Sequence, residues 1–437
     1  MFIIIKITIM DLISKATGFS KWTKDEKIQW LMTNHFDNDN QAKKTLSQYW
    51  YDDVKLQKLH DEFTENTISN FVLPYSVAPN FVINGKQYTV PMVIEESSVV
   101  AAASLVAKFW ANKGGFKTTV LDTQKIGQVH FMYQGDKNEL QSYFETKKEA
   151  LLEAVADITA NMRKRGGGIR NIELRDKTAD LANYYQLHVT FETVDSMGAN
   201  FINSCLEAIA KAFKKEDINI VMSILSNYVP QCVVRAEVSC KVSELYEDNA
   251  AHYAQKFKQA LDIANAEVHR AVTHNKGIMN GIDAIVLATG NDFRAVEAGA
   301  HAYAARSGKY QSLSGCEIKD GIFKFWLELP LALGTVGGLT KIHPMAKFSL
   351  DLLDRPSAKE LMQIVAAVGL SQNFAALRAL TTTGIQHGHM KMHLKNILTQ
   401  LQANDNEKET LVTYFKDRTV SHAAVATAYE ALKNGTL

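Results

Sequence analysis

Lys276 and Asp292 flank an apolar run, Ala284 to Ala288, inside the stretch from His274 to Arg306. Glycine and asparagine surround both charges, as Asn275-Lys276-Gly277 and Gly290-Asn291-Asp292; Asp283 also abuts the run but lacks that setting. A plain surface loop would scatter more charges, and a plain core segment would carry none. A cation and an anion on backbone turns at the ends of a buried run suggest a site in the wall of one dry pocket, where fixed charge acts strongly. Other stretches hold reactive residue types. His387, His389 and His393 invite a metal reading, but only His389 and His393 have helical i,i+4 spacing, and no Glu stands between them. No metal site is expected. Glu65-Asn66, ahead of the strand-like Phe71 to Ser76, reads alone as a helix cap or solvated turn. Asp195-Ser196-Met197-Gly198-Ala199-Asn200 joins a strand to a helix start, where free N–H groups and the positive dipole end suit a phosphate. Read alone it is an ordinary capped helix. Arg163-Lys164-Arg165-Gly166-Gly167-Gly168 either adds phosphate contacts or is a solvated helix end with complementary charge.

The elements that must position these residues need more than one core. A chain of 437 residues is expected to form two or three domains. Apolar residues make up 46% and charged residues 22%, an ordinary globular balance. Net charge is +1, which argues against a nucleic-acid binder, though a local basic cluster could hold one phosphorylated small molecule. The four cysteines, Cys205, Cys232, Cys240 and Cys316, form no CxxC pair and fit a reducing cytoplasm. The apolar patch Phe2 to Ile5 is too short to span a bilayer and lacks a cleavage pattern; Met10 is a candidate start, with residues 1–9 outside the native protein. No transmembrane helix and no membrane partner are expected.

Residues 20–66 carry helical periodicity for two or three amphipathic helices. Asn84-Gly85 between Phe81-Val82-Ile83 and Gln87-Tyr88-Thr89-Val90 signals a hairpin. Ser97-Ser98 cap a small-residue helix through Phe109, ended by Gly114-Gly115. Then a strand (Lys125 to Tyr133), a helix (Lys137 to Arg163), strands Ile169 to Arg175 and Leu187 to Thr193, a helix (Asn200 to Phe213) and a strand (Ile218 to Leu225) give a βαββαβ, ferredoxin-like order. No GxGxxG occurs, so the cofactor fold is expected to be non-Rossmann. Residues 235–380 read as helical, with strands at Ser312 to Ile318 and Ile322 to Leu329 and a turn at Gly334 to Thr340. A helical region follows Thr381-Thr382-Thr383-Gly384.

Five segments, in this order, resemble the class II (bacterial) 3-hydroxy-3-methylglutaryl-coenzyme A reductases: Glu65-Asn66-Thr67-Ile68, Glu95-Glu96-Ser97-Ser98 with its alanines, Asp195 to Asn200, His274 to Arg306, and Leu333 to Thr340 followed by Gly369-Leu370-Ser371-Gln372-Asn373 and Gly388-His389-Met390. Three positions depart from the pattern. Ser69 stands where the family usually has glycine, Ser97 where it commonly has proline, and His387 where it has a basic or amide residue.

The resemblance implies an α+β fold. A discontinuous substrate- and coenzyme A-binding domain (1–120 and 228–383) carries an inserted cofactor domain (121–227) and a C-terminal helical flap (384–437). It also implies a four-electron reduction in the mevalonate and isoprenoid pathway: the thioester 3-hydroxy-3-methylglutaryl-coenzyme A becomes mevalonate and free coenzyme A, using two NADPH or NADH. Hydride attack puts negative charge on the thioester oxygen, and Lys276 is the candidate cation beside it. A thiol's pKa is roughly 8.5, so expulsion of the coenzyme A thiolate needs a proton, for which His389 is the candidate. Glu65, protonated in a buried setting, would supply the alcohol proton directly or through Lys276. Asp292 would hold Lys276 charged and in place. Arg270 would meet the substrate carboxylate, with Asn280, Asn227 and Gln372 as polar contacts. Asp195, Met197, Gly198, Ala199 and Asn200 would hold the dinucleotide, and the Arg163–Arg165 cluster favours NADPH. Two cofactor exchanges per turnover call for a mobile lid, and the segment bearing His389 is expected to be that flap. The family's active site lies at the interface of a homodimer, or of a higher oligomer built on it.

Competing readings are weaker. A thiolase or a lyase on the same substrate needs a nucleophilic cysteine or a metal, and no cysteine sits in a site-like segment. A non-enzymatic coenzyme A- or nucleotide-binding protein would not require Glu65, Lys276, Asp292 and His389 together.

Overall fold

The computed structural model describes residues 16–382, 394–416 and 418–437. His387, His389 and His393 lie outside the described residues, as does Gly384. The chain divides into two units after Pro74.

The first unit holds three short helices, as the periodicity predicts: α1 (Lys24–His35), α2 (Asn40–Ser47) and α3 (Val54–Asp61). Each opens on a side-chain cap, from Thr23, Asp39 and Asp53 in turn, and Thr23 with Glu26 completes a capping box. Lys24 pairs with Asp61 at 2.8 Å, and the Trp50 indole donates to the Ile68 carbonyl at 3.0 Å. Ser69 donates its hydroxyl to the Leu46 carbonyl at 2.7 Å, so the departure from glycine closes a local contact.

The second unit opens with the hairpin β1 (Tyr75–Ile83) and β2 (Lys86–Val93). Its turn residues Asn84 and Gly85 have φ of 49° and 82°, the left-handed pair that a two-residue hairpin demands. α4 (Val99–Ala111) follows. Ser98 stands at its start with φ 77° and makes no side-chain capping bond, so the expected serine cap is not formed. The helix is held by burial instead, with Ala103, Val106, Ala107 and Trp110 in the core.

Next come β3 (Lys117–Val120), β4 (Lys125–Tyr133), α5 (Lys137–Glu153), α6 (Ala156–Lys164), β5 (Gly168–Asp176), β6 (Tyr184–Glu192), α7 (Ala199–Phe213), β7 (Ile218–Ser226) and β8 (Val233–Lys241). After them run α8 (Ala250–Ala266), α9 (Val268–Ala288), α10 (Phe293–Ala304), β9 (Ser314–Lys319), β10 (Ile322–Pro330), α11 (Leu339–Ile342), α12 (Pro344–Leu352) and α13 (Ala358–Thr381). One antiparallel sheet has the order β3-β8-β10-β9 and the other β5-β6-β4-β7. The fold is therefore mixed α+β. The second sheet shares its own core with α5 and α7, built on Phe131, Phe144, Leu187, Leu206 and Phe213. The helix expected from Lys137 to Arg163 is two helices, broken at Ala154-Val155. β3 and β8 escaped the sequence reading. β3 is only four residues long, and the charges of β8 sit on the face opposite its buried Val234, Ala236, Val238 and Cys240.

The main core lies where α9 and α13 cross behind the first sheet. α13 is long and apolar enough to cross a membrane by length and composition, but it is mostly buried in this core. A helical stretch at 394–400, α14 (Asp405–Tyr414) and α15 (His422–Lys433) surround a third, separate core of Leu398, Leu411, Phe415, Val425 and Tyr429.

Lys276 is not on a turn. It lies inside the 21-residue helix α9. Gly277 beside it has open space around its Cα, whereas Gly281 serves helix contact: a Cβ there would stand 3.0 Å from the Gln372 Cβ, and one on Gly369 of α13 would stand 2.8 Å from Ile282.

Candidate active site

α9, α13 and the turn before α4 enclose a cavity of about 460 Å³. It brings together four of the expected residues: Arg270, Lys276 and Asn280 from α9, and Gln372 from α13. The Lys276 ammonium donates to a Glu96 carboxylate oxygen at 2.8 Å. Burial pulls the half-buried Arg270 guanidinium below its ordinary value. Gln372 is 7% exposed, and its Oε1 has no donor. A buried acceptor left without a donor costs stability, which marks the wall as built for something polar. His274, in the same wall, meets the Ser314 hydroxyl at 2.8 Å and the Asn373 amide at 3.2 Å. Burial, helped by Arg270, pushes its imidazole down to about 3, so it is a neutral core histidine.

The expected pairing of Asp292 with Lys276 is absent. Asp292 caps α10, accepting from the backbone N–H groups of Arg294 and Ala295, and it pairs with the Arg294 side chain at 3.2 Å. The reason is geometric. Twelve residues of helix separate Lys276 from the end of α9 at Ala288, roughly 18 Å of rise. The apolar run is a rigid spacer.

Asp292 instead lines a second cavity of about 470 Å³, together with Met197, Gly198, Ala199 and Asn200. Its wall also holds Asn291, Gly334 and Arg165. α7 starts here at Gly198, with φ 88° and no side-chain cap, so its first N–H groups remain on offer. The close approach demands glycine twice. A Cβ on Gly198 would lie 2.6 Å from Thr193, and one on Gly334 would lie 2.5 Å from the Met197 nitrogen. Gly334 donates its N–H to the Asn291 side chain at 2.8 Å. Asp195 is not in this wall. Its carboxylate accepts from Ala358 at the start of α13, and its carbonyl from Thr335, each at 2.8 Å. It therefore ties the loop to the main core.

The other expected residues are scattered. Asn227 lines a small cavity of about 20 Å³ with Lys125 and Met197, not the cavity of Lys276. Glu65 is exposed on the turn after α3, where Asn66 has φ 62°; the buried setting expected for it is not present in the single chain. His389 lies outside the described residues. Among the described residues, no group of three His, Cys, Asp or Glu side chains is arranged to hold a metal.

Residues 24–394 match the family model of hydroxymethylglutaryl-coenzyme A reductase. The 3-hydroxy-3-methylglutaryl-coenzyme A reductase of Archaeoglobus fulgidus is 37% identical over 401 residues, 91% of this chain and 90% of that one. The chain belongs to the hydroxymethylglutaryl-coenzyme A reductase family. The probable reductase of Borreliella burgdorferi is 33% identical over 84% of this chain and 87% of its own length. Among solved structures, the Streptococcus pneumoniae reductase covers 96% of this chain and 100% of its own at 37% identity, with a TM-score of 0.73. The class II reductase of that organism bound to NADPH in open conformations matches at 39% identity and a TM-score of 0.72, over 86% of this chain and 92% of its own. The class II resemblance of the motifs is thus borne out, and this reductase-family chain is an oxidoreductase.

One cluster in this member of the family was not legible in its sequence. Asp283 of α9 and Glu297 of α10 share a hydrogen bond, and Glu297 meets His301 Nε2 at 2.6 Å. His301 Nδ1 in turn meets the Tyr310 hydroxyl at 2.7 Å. Burial first, then the hydrogen bond and charge of Glu297, push the Asp283 carboxyl up to about 8. His301 holds Glu297 below the carboxylate range. Two touching carboxyls do not both ionise, so the pair keeps one proton at neutral pH. A folded-state value above the unfolded one stabilises fully below about pH 4 and is lost as pH rises through about 8. The native thermal midpoint should therefore fall across that window more steeply than that of Asp283→Asn, the gap reaching a few degrees by pH 9. Parallel pH profiles of the two proteins would refute the shared proton.

Proposed function

We propose that the cavity of Lys276 carries out the family's reaction, the two-hydride conversion of 3-hydroxy-3-methylglutaryl-coenzyme A to mevalonate and free coenzyme A. The observation that carries this reading is the pairing of two cations, Lys276 and Arg270, in one 460 Å³ cavity with the unpartnered Gln372 acceptor. Arg270 would hold the substrate carboxylate and Lys276 would face the thioester oxygen, while Asn280 and Gln372 orient the hydroxyl. Negative charge grows on that oxygen only as the reaction proceeds, so a fixed ammonium favours the transition state over the ground state. Glu96, which holds the ammonium at 2.8 Å, would keep it aimed until substrate arrives.

The dinucleotide, which supplies hydride when bound, is assigned to the second cavity. There the uncapped start of α7 suits its pyrophosphate, and Met197, Gly198, Ala199 and Asn200 form the cradle. Residues 121–227 are then the inserted, ferredoxin-like cofactor domain, and 1–120 with 228–383 the substrate domain. Asp292 belongs to this second cavity, held away from its own Lys276 by the α9 spacer. The active site is accordingly proposed at a homodimer interface, with Lys276 from one subunit and Asp292 and the dinucleotide from its partner. Glu65, exposed in the single chain, would be buried in the assembled site and supply the alcohol proton. The four unpaired thiols favour a cytoplasmic location, which cell fractionation would check.

His389 would protonate the departing thiolate. The wall of the Lys276 cavity includes Thr382, and His389 lies seven positions further on, a reach of roughly 23 Å. Residues 384–437 are proposed as the flap, a reading supported by the separate core that the described residues from Leu394 onward carry.

Purified protein given mevalonate, coenzyme A and an oxidised nicotinamide should produce reduced nicotinamide absorbance; folded protein inert with both cofactors would sink the assignment. Lys276→Ala and Asp292→Asn should each abolish turnover without unfolding. Mixing the two, with subunit exchange, should restore activity, because one site of the mixed dimer is then intact; a mixture that stays dead places both residues in one chain's site.

Hydrogen exchange across 394–437 should be faster than in α9 and α13 without ligand and should slow when coenzyme A and dinucleotide bind. Core-like protection in both states rules out the flap.

NADPH is proposed over NADH, because Arg165 stands in the second cavity's wall. Arg165→Gln should raise the NADPH KM on the order of tenfold, one lost charge-assisted hydrogen bond, and leave the NADH KM unchanged. Equal effects on both cofactors remove Arg165 from selection.

A further inference from the structure

Lys125, the first residue of β4, is 4% exposed, yet among the described residues no carboxylate lies within ion-pair distance of its ammonium. Burial lowers its proton affinity, and Cys232, Glu192 and Asp195 oppose that only through space. Burying an ammonium without a paired counter-ion is costly, and a methionine would fill the same space. What the ammonium touches is the loop that opens α7. It donates to the Ser196 carbonyl at 2.9 Å and to the Thr193 hydroxyl, and that hydroxyl donates to the same carbonyl at 2.6 Å. Two donors therefore pull one peptide oxygen inward.

The loop needs the grip. Val194 has φ 52°, a left-handed backbone that a β-branched residue strongly resists, and its N–H is held by the Glu192 carboxylate at 2.8 Å. Gly198 adopts φ 88° two residues after the pinned carbonyl. Fixing the Ser196 carbonyl inward fixes the next peptides outward, where Met197, Gly198, Ala199 and Asn200 line the 470 Å³ cavity. The buried charge also lies on the same side as the positive end of α7, so both favour an anion at the loop.

We infer that Lys125 is a positioning residue for dinucleotide binding: its ammonium holds the Thr193–Gly198 loop in the strained form that presents the α7 N-terminus to the dinucleotide phosphates. This rests on the assignment of the second cavity to the dinucleotide. The role is selective. Lys125 does not line the Lys276 cavity; it lines the small cavity that Met197 and Asn227 share.

The test uses the full-length protein with Lys125→Met, which keeps the length and removes the charge, and with Thr193→Val, which removes the second donor. NADPH affinity is read by fluorescence and the two KM values by steady-state assay. The expected result for Lys125→Met is a dinucleotide Kd and KM raised on the order of tenfold, the KM for the acyl-coenzyme A unchanged, and a Tm equal to or above native. Thr193→Val should move the same constants in the same direction by less, and Thr193→Ser should restore them; this pair decides the matter if Lys125→Met does not fold. Native-like dinucleotide constants in both variants, or an equal rise in both substrates' KM, overturn the positioning role. Native protein that binds neither NADPH nor NADH overturns the cavity assignment itself, and the inference with it.

Discussion

The contact between α9 and α13 carries the rest of the molecule. Gly281 and Gly369 remove side chains where the two helices meet, which lets backbone approach backbone and draws Ile282 and Gln372 into contact. Glycine inside a helix is unfavourable by itself. Here that penalty is offset by a close helix pair that carries Lys276 and Asn280 on one member and Gln372 on the other, all facing one cavity. The wall of that cavity is therefore backed by the core, which is the support that preorganised charge stabilisation needs.

The same contact explains why the site was legible as residues but not as geometry. Asn275, Gly277 and Gly281 around Lys276 have the composition of a turn, yet all three lie inside α9, where Gly281 packs on Gln372 of α13 and Asn275 bonds the backbone of Gln311 and Leu313. Where structure is set locally, the sequence reading holds: Asn84-Gly85 makes its hairpin, and from Lys125 to Ser226 the strands and the helix after β6 fall within a few residues of their expected ends, while the helix expected before β5 is broken in two. Where it is set at a distance, it fails. β8 is a strand because β3 and β10 flank it, and the Asp283–Glu297–His301 cluster exists because α9 folds back on α10 at Thr289 to Asn291. Composition could not report either.

Electrostatics divide the molecule into two kinds of charge. The exposed ones, such as Lys276 with Glu96 and Asp292 with Arg294, are paired side by side in water, where such pairs contribute little to stability. They can exchange partners at small cost. The buried ones are the reverse. Asp283 keeps its proton because it is buried and faces Glu297, and the Lys125 ammonium, whose proton affinity burial lowers, donates to backbone and hydroxyl oxygens. Neither can be rearranged cheaply, so each fixes the backbone around it.

The α9 spacer turns this division into a constraint on assembly. A helix does not shorten, so Lys276 and Asp292 of one chain cannot be brought together by side-chain rotation across roughly 18 Å of α9. If both act on one substrate, the second must come from another copy of the chain. The two cavities of a single chain are then halves of two different sites. The strained loop pinned by Lys125 must in that case present its dinucleotide to the neighbour's Lys276. Loop precision would matter more in such a site than in one built within a single core, because a tilt at Ser196 adds to whatever play the subunit interface has. A buried ammonium at the root of the loop, held by three short contacts among Lys125, Thr193 and Ser196, is the kind of anchor that limits the tilt at its origin.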